Sequence, residues 1–537
     1  SNQGFGPIGS NGARFAGRFN GLGHSISGLK INRSNDYQGL FGVTEDATIS
    51  DFAMVGGRVV GGANSGSIIG RAVSTDITEV SSSTDISSYS SDTTGGDMGF
   101  GGLIGQTSHG TSVVNSTSSG SVTINSAQNG VSIAGGLVGT ARSTTITNSS
   151  STGAVYGIGR VGGLIGYVTG TDVLPSVVSI STATGAVSGY SNVGGLVGLG
   201  DKDVSISDSS ASGDVTGIDN TYNGVSQNFG GLVGTLSEGP IVTGSFATGN
   251  VSGLTGVGGL VGKAGWRTVS IYSSYATGNV SGVNQIGGLI GASFGTGQRR
   301  VSNVYSSGSV TGQSQVGGLV GLATNLDLSN AYSSSKVNAL SYANDVGGLI
   351  GYSSHTSTPA SAVSTVVNSY ADGLVNLLGA FDNVGGLIGT TSGNVTLSNS
   401  FWNTTTSGIY NSARGEGKTS AEMQDLSTFS TWDVSSDPSS SSVWQYQSGL
   451  TPYLRSFPAY LVIDAAYVTS LLSSLSSSDV TIGGYPNIIF AADLTYTGAA
   501  GRSLILTASS AVIVNSGINF GASSAGSLAL RFDVGGN

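Results

Sequence analysis

The five residues Gly258-Gly259-Leu260-Val261-Gly262 decide how this chain folds. The string Gly-Gly-Leu-(Val/Ile)-Gly occurs ten times, with its leucine at Leu103, Leu137, Leu164, Leu196, Leu232, Leu260, Leu289, Leu319, Leu349 and Leu387, at intervals of 27 to 38 residues. Two weaker copies precede them, Gly39-Leu40-Phe41-Gly42 and Ser67-Ile68-Ile69-Gly70. Self-similarity at such a period marks stacked units rather than a single globule.

A fainter pattern lies between the glycine motifs. Phe246-Ala-Thr-Gly-Asn-Val-Ser-Gly, Tyr275-Ala-Thr-Gly-Asn-Val-Ser-Gly and Tyr305-Ser-Ser-Gly-Ser-Val-Thr-Gly are near copies. Tyr332, Tyr370 and Phe401 continue the aromatic position, and Asn303, Asn330, Asn368 and Asn399 each stand two residues before it. In earlier units the slot holds a hydroxyl residue, as at Ser150 and Ser210. Each unit therefore reads as three short strands separated by turns. Alternation in Val269-Ser-Ile-Tyr, Leu326-Asp-Leu-Ser and Val395-Thr-Leu-Ser turns aliphatics to one face and hydroxyls to the other. The glycines allow positive φ at corners or close backbone approach.

One such unit cannot bury its own aliphatics, whereas stacked units can. The predicted fold is all-β: a right-handed parallel β-helix (β-solenoid) of about 12 coils of ~30 residues, followed by a loop and short-helix insertion and shorter coils. At the interstrand spacing of about 4.8 Å, twelve coils make a section about 58 Å long. The ten motif leucines are the expected structural core. Phe246, Tyr275, Tyr305, Tyr332, Tyr370 and Phe401 are the candidate surface ladder. Its structural reading is ring stacking along the axis, with the asparagines hydrogen-bonded coil to coil, and its functional reading is contact with sugar rings.

Composition narrows the class. The 537 residues include 90 Gly and 92 Ser, charged residues are 9% and hydrophobic residues 38%. A disordered chain would be richer in charge and poorer in aliphatics. The absence of cysteine removes disulfides, thiolate metal sites and cysteine nucleophiles. A net charge of -10, with only 19 Lys and Arg spread along the chain, argues against nucleic acid and anionic membranes as partners. No apolar run reaches the length of a membrane helix, so no membrane insertion is expected; the best stretch, Ala459 to Leu475, carries Asp464. No signal peptide is visible, and the chain reads as a piece of something longer.

The Gly-Gly-Leu-Val-Gly strings resemble the GLUG repeat of bacterial surface and secreted proteins. The opening Phe15-Ala-Gly-Arg-Phe-Asn-Gly-Leu-Gly-His-Ser-Ile-Ser-Gly-Leu-Lys-Ile31 resembles the lead-in coils that precede such repeats, and the likeness covers about residues 1 to 410. Trp432-Asp-Val, Trp444 and Thr451-Pro-Tyr-Leu-Arg455 resemble the segment that closes a GLUG array. Val480-Thr-Ile, Leu504-Ile-Leu-Thr-Ala, Val512-Ile-Val and Leu528-Ala-Leu-Arg-Phe look like the shorter coils of filamentous-haemagglutinin-type exoproteins. The expected domains are lead-in coils at 1–75, the GLUG solenoid at 76–410, a loop-rich tryptophan-containing segment with short helices at 411–478, and truncated haemagglutinin-like coils at 479–537. Within the third, Thr419-Ser-Ala-Glu422 is a capping-box string for a helix through Leu426, and Asp464 to Ser476 suits a second helix.

The resemblance implies a secreted or cell-surface adhesin segment, exported by an outer-membrane two-partner secretion transporter and binding glycans or host or bacterial surface molecules, with biofilm formation in view. The alternative is a stalk or self-assembling filament subunit. The remote alternative is a polysaccharide-active enzyme. The last would need convergent carboxylates, and the best cluster, Asp201-Lys202-Asp203 with Asp208 and Asp214, reads as a solvated turn, as does the pair Arg299-Arg300. His24, His109 and His355 fall in different repeats, and no His-Glu-x-x-His zinc string or aspartate-rich calcium repeat is present. No catalytic, metal or cofactor site is therefore expected. The sequons at Asn115, Asn148, Asn250, Asn279 and Asn403 arise readily in so Asn/Ser/Thr-rich a chain.

Overall fold

The computed structural model describes residues 3–89, 98–125, 132–219, 226–356, 364–379, 381–437, 440–446, 449–457, 460–463, 465–476, 478–490, 493–497, 501–514, 520–522 and 528–534. They belong to two compact units, Ser1–Met423 and Gln424–Asn537.

The first unit is a right-handed parallel β-solenoid whose three faces are sheets of 12, 20 and 21 strands. The 12-stranded face opens at Phe41–Glu45 and closes at Ile388–Ser392. Each of its strands starts inside one glycine motif, at the residue after the central Leu or Ile, so the ten full copies and the two weaker ones account for every turn. Chain direction is the same from turn to turn, as in Val197↔Val233 on this face, Ile206↔Val242 on the second and Val187↔Val215 on the third.

Steric crowding explains the motif's glycines. A Cβ on Gly135 would stand 2.0 Å from the carbonyl oxygen of Val138, and one on Gly139 would stand 2.4 Å from the amide nitrogen of Phe100. A Cβ on Gly136 would meet the carbonyl oxygen of Gly163 at 2.0 Å and the Ser151 hydroxyl at 2.2 Å. None of the three lies in the left-handed region. The glycines serve close approach, not unusual φ. At the apex they frame, the amide of Leu103 donates to the carbonyl of Leu137 at 2.9 Å, and the same bond repeats leucine to leucine as far as Leu349 to Leu387. All ten leucine side chains are fully buried, each contributing about 1.5–3 kcal/mol of apolar burial.

Left-handed backbone is carried instead by polar residues at the turn before the aromatic slot. Asn115, Asn148, Asp208, Asn303, Asn330, Asn368 and Asn399 all have φ between 46° and 54°, a conformation that short amide and carboxylate side chains tolerate. The next residue is commonly serine, and these serines are buried. The hydroxyls of Ser149, Ser181, Ser209 and Ser245 accept from the amides of Ser116, Ser149, Ser181 and Ser209 at 3.1–3.2 Å, while each donates to the carbonyl two residues earlier. Hydroxyls thus line the interior as well as the outside, which the alternation alone did not indicate.

The last turn of this unit is closed locally. The Ser412 hydroxyl accepts from the amides of Leu387 and Ile388 at 3.3 and 2.9 Å, in place of a following turn's carbonyl. Trp402 lies over Gly386 and donates its indole N–H to the Ile409 carbonyl at 2.9 Å. The capping box forms: the amide of Glu422 donates to the Thr419 hydroxyl, and a Glu422 carboxylate oxygen accepts from the Thr419 amide at 2.7 Å. Donation from the Thr419 amide and hydroxyl holds the Glu422 carboxyl below its usual range. The helix they start, Ser420–Met423, stops short of the expected Leu426, where a 3-10 turn over Leu426–Phe429 begins with Asp425 as its cap.

In the second unit Trp432 packs against Phe429 and Trp444 at ring separations of 4.8 and 4.7 Å. A helix over Ala465–Leu475 follows, close to the expected bounds, although Asp464 lies outside the described residues. Four strands, one before this helix and three after it, pair in parallel: Tyr460–Ile463, Val480–Phe490, Arg502–Val514 and Leu528–Val534. Axial partners Val480↔Leu504 and Leu504↔Leu530 give turns of 24 and 26 residues, shorter than those of the first unit. Val512-Ile-Val does not open a turn of its own but ends the strand that contains Leu504. Among the described residues no helix is long and apolar enough to cross a membrane.

Candidate functional site

The aromatic slot is in register from turn to turn: Ser210↔Phe246, Phe246↔Tyr275, Tyr275↔Tyr305, Tyr305↔Tyr332, Tyr332↔Tyr370 and Tyr370↔Phe401. Rings from Phe246 to Tyr370 stack at 4.9–5.1 Å with planes within 8°. The column is not the surface ladder that the sequence suggested. Tyr305, Tyr332, Tyr370 and Phe401 are buried, and only Phe246 and Tyr275 are half-exposed. Axial stacking consumes the ring faces that a sugar would need. Burial pushes the phenols of Tyr332 and Tyr370 well above their ordinary value.

Asparagine ladders run beside it. Asn148 donates its side-chain amide to Asn115 at 2.8 Å, Asn330 to Asn303 at 3.2 Å and Asn399 to Asn368 at 3.4 Å. Sequon residues take part in this scaffolding. The Asn250 amide side chain donates to Asp214, the Asn250 and Asn279 side-chain oxygens accept from the amides of Asn279 and Ser309, and buried Asn403 caps the Thr404–Ser407 helix.

Charge gathers instead at the edge where the 12-stranded face turns into the 20-stranded one. Lys202 pairs with Asp172 at 2.9 Å, both exposed. The Asp172 carboxyl is held low by its bond to Lys202, while partial desolvation and the neighbouring Asp172 raise Asp203. Tyr167 donates to Asp201 at 3.0 Å, with the Arg160 guanidinium 4.3 Å above its ring. Asp208, at the left-handed turn, and Asp214, bonded to Asn250, lie apart from this group. Further along, Arg267 and Glu238 approach to 3.6 Å.

Arg299 corrects the reading of Arg299-Arg300 as a solvated turn. Its neighbours in register are Val269 and Leu326, both inward residues, and it is fully buried whereas Arg300 is exposed. The guanidinium donates to the Ser293 hydroxyl at 3.2 Å and to the carbonyls of Gly297 and Thr324. Desolvation pushes it down to about 10, so it stays charged at neutral pH. His24, His109 and His355 lie on different turns, and no group of three or more His, Asp or Glu able to hold a metal is found among the described residues.

The same edge carries a feature that sequence reading missed, the exposed side chains of Trp266 and Phe294. They stand at the ends of Val261–Trp266 and Ile290–Gly295, the two six-residue strands of the 12-stranded face, where the others have four or five. No irregularity of the repeat marks them in the sequence, since Leu260, Leu289 and Leu319 follow at ordinary intervals of 29 and 30 residues.

Comparison with known proteins agrees with this geometry. A family model described as the GLUG motif matches residues 189–216. The matched segment is one turn of the solenoid, because Gly189 pairs with Gly217 on the turn that follows. The chain carries the GLUG motif on a β-solenoid. Searches of curated proteins and of solved structures found no match.

Proposed function

We propose that this chain is a segment of a large secreted or cell-surface bacterial adhesin, a rigid scaffold that binds rather than catalyses. GLUG repeats are found in bacterial surface proteins, and here the repeat builds twelve turns in one compact unit. The observation that carries the reading is the division of labour in each turn. Leucine, glycine, asparagine and serine fix the backbone, and the edge between two faces is free to vary and collects charge and exposed aromatics. A rod presenting weak contacts at many turns binds through avidity. Its partners in this reading are glycans or surface molecules of host or neighbouring cells, and its export follows the two-partner route that the haemagglutinin-like second unit suggests.

Immobilised 537-residue chain, presented singly and in clusters, is expected to retain cells or glycans above a bovine-albumin surface, with the clustered form stronger. Equal retention on both surfaces in both formats removes the reading. The filament alternative draws on one observation: the Arg18–Ser27 strand is largely exposed and pairs with Thr48–Val55. Unpaired strand edges template further pairing. Electron micrographs of concentrated protein that show single short rods would exclude it.

A further inference from the structure

We infer that Trp266, Phe294 and Lys263 form a binding platform for an anionic sugar, a pyranose carrying a carboxylate or sulfate group. The inference rests on the adhesin reading and deepens it by naming a site and a ligand class.

Trp266 is 60% exposed and Phe294 53% exposed, on adjacent turns and diagonal in register, since Gly265 pairs with Phe294 and Trp266 with Gly295. The Lys263 ammonium lies 5.7 Å from the Trp266 ring and 5.8 Å from the Phe294 ring. Among the described residues no carboxylate pairs with Lys263, and its half-buried position disfavours the charge. A desolvated cation held by ring faces gains from an arriving anion. The flat C–H face of a pyranose matches an exposed indole or phenyl ring.

The platform is also braced, as an incidental surface feature would not need to be. Trp266 has φ of 68°, an outlier for a bulky residue. Such strain persists only where surroundings impose it, and it clusters at ligand sites. Here the Trp266 carbonyl accepts from the Gly297 amide and the Thr296 hydroxyl, each at 3.1 Å. Gly295 and Gly297 allow the approach, because Cβ atoms there would meet Trp266 and Arg267 backbone at 2.4 and 2.3 Å. Beneath, buried Arg299 holds the Gly297 carbonyl. Backbone glycines, a strained tryptophan and a buried cation together fix the backbone that presents Trp266 beside Phe294.

The test uses the complete chain and titrates three probes: a heparin-derived hexasaccharide, an oligogalacturonate hexasaccharide and neutral cellohexaose. Trp266 is the exposed one of the four tryptophans, since Trp402, Trp432 and Trp444 are buried, so its emission reports on the platform. Binding of either anionic probe with a shift of that emission supports the site; because the heparin probe carries both groups, its binding alone identifies sulfate as the anion, and binding of the oligogalacturonate identifies carboxylate. Trp266→Ala and, separately, Phe294→Ala should weaken binding about thirty-fold, the size of a central aromatic contact. Lys263→Gln should remove the preference over cellohexaose. Equal affinity for all three probes overturns the ligand class, and anionic binding that survives both aromatic substitutions overturns the site. Failure of every probe while cells are still retained sinks this inference alone, whereas failure of both sinks the adhesin reading with it.

Discussion

A Cβ on Gly136 would sit 2.0 Å from the carbonyl oxygen of Gly163, one turn along the axis, so the space between these two glycines is what lets the turns stack. Gly136→Ala is therefore expected to cost about 3 kcal/mol or more, at the upper end of overpacking, since the Gly163 carbonyl is backbone and cannot yield and the Ser151 side chain crowds the same space. Gly12 has no atom within 4 Å of its would-be Cβ and an ordinary φ, so Gly12→Ala should stay within about 0.5 kcal/mol of the parent. Thermal melts followed by circular dichroism compare the two, and equal midpoints would refute the steric account.

Asn148 combines a left-handed backbone with an axial side-chain bond to Asn115, and substitution separates the two. Asn148→Gly keeps the φ and loses the bond, for about 1 kcal/mol. Asn148→Ala loses the bond and adds left-handed strain of roughly 1–2 kcal/mol more. Chemical denaturation should rank parent above Gly above Ala. If Ala matched or exceeded Gly, the ladder and not the backbone would set this corner.

The buried phenols give the solenoid an alkaline limit. Tyr332 and Tyr370 are held neutral by desolvation, so their folded values lie above the unfolded one of about 10. Below that value both states keep the proton and the full contribution is present. Above it the unfolded chain releases protons that the folded chain retains, and stability falls as pH rises. The melting temperature should decline from about pH 10 upward, with a shallower slope in Tyr332→Phe, which keeps the ring stack. An unchanged slope would place the effect elsewhere.

How much of this was legible follows from what a repeat constrains. Leu103 through Leu387 and the twelve turns could be read because stacked identical positions must repeat. The helix near Ala465 was visible in its apolar spacing. The aromatic column was legible as a stack from Tyr275-Ala-Thr-Gly and its copies, yet not as buried, because periodicity fixes which residues align and says nothing of what packs over them. The inward place of Ser149 and its successors was not legible, because a serine pattern does not distinguish a water-facing hydroxyl from one that carries a buried ladder. Trp266 and Phe294 lie in the variable stretch between a glycine motif and the next strand, beyond the reach of the repeat's regularity.

Arg299 shows the same limit in one residue, and it supplies the sharpest test. Counting back by two from inward Val301 places Arg299 inside, although a charged doublet reads as a loop. Arg299→Met keeps the volume but leaves the carbonyls of Gly297 and Thr324 without their guanidinium donor. A buried unpaired carbonyl costs about 1–3 kcal/mol, offset in part by no longer burying a charge, for a net loss of about 2 kcal/mol. Lysine cannot reproduce the planar fork, so Arg299→Lys should be no better tolerated. Arg300→Met, on the exposed side of the same strand, should change stability by less than about 0.5 kcal/mol. Loss of the Gly297 anchor should also shift the Trp266 emission in Arg299→Met and leave it unmoved in Arg300→Met. Two doublet variants that melt together and emit alike would mean that the buried guanidinium supports neither the turn nor the platform above it.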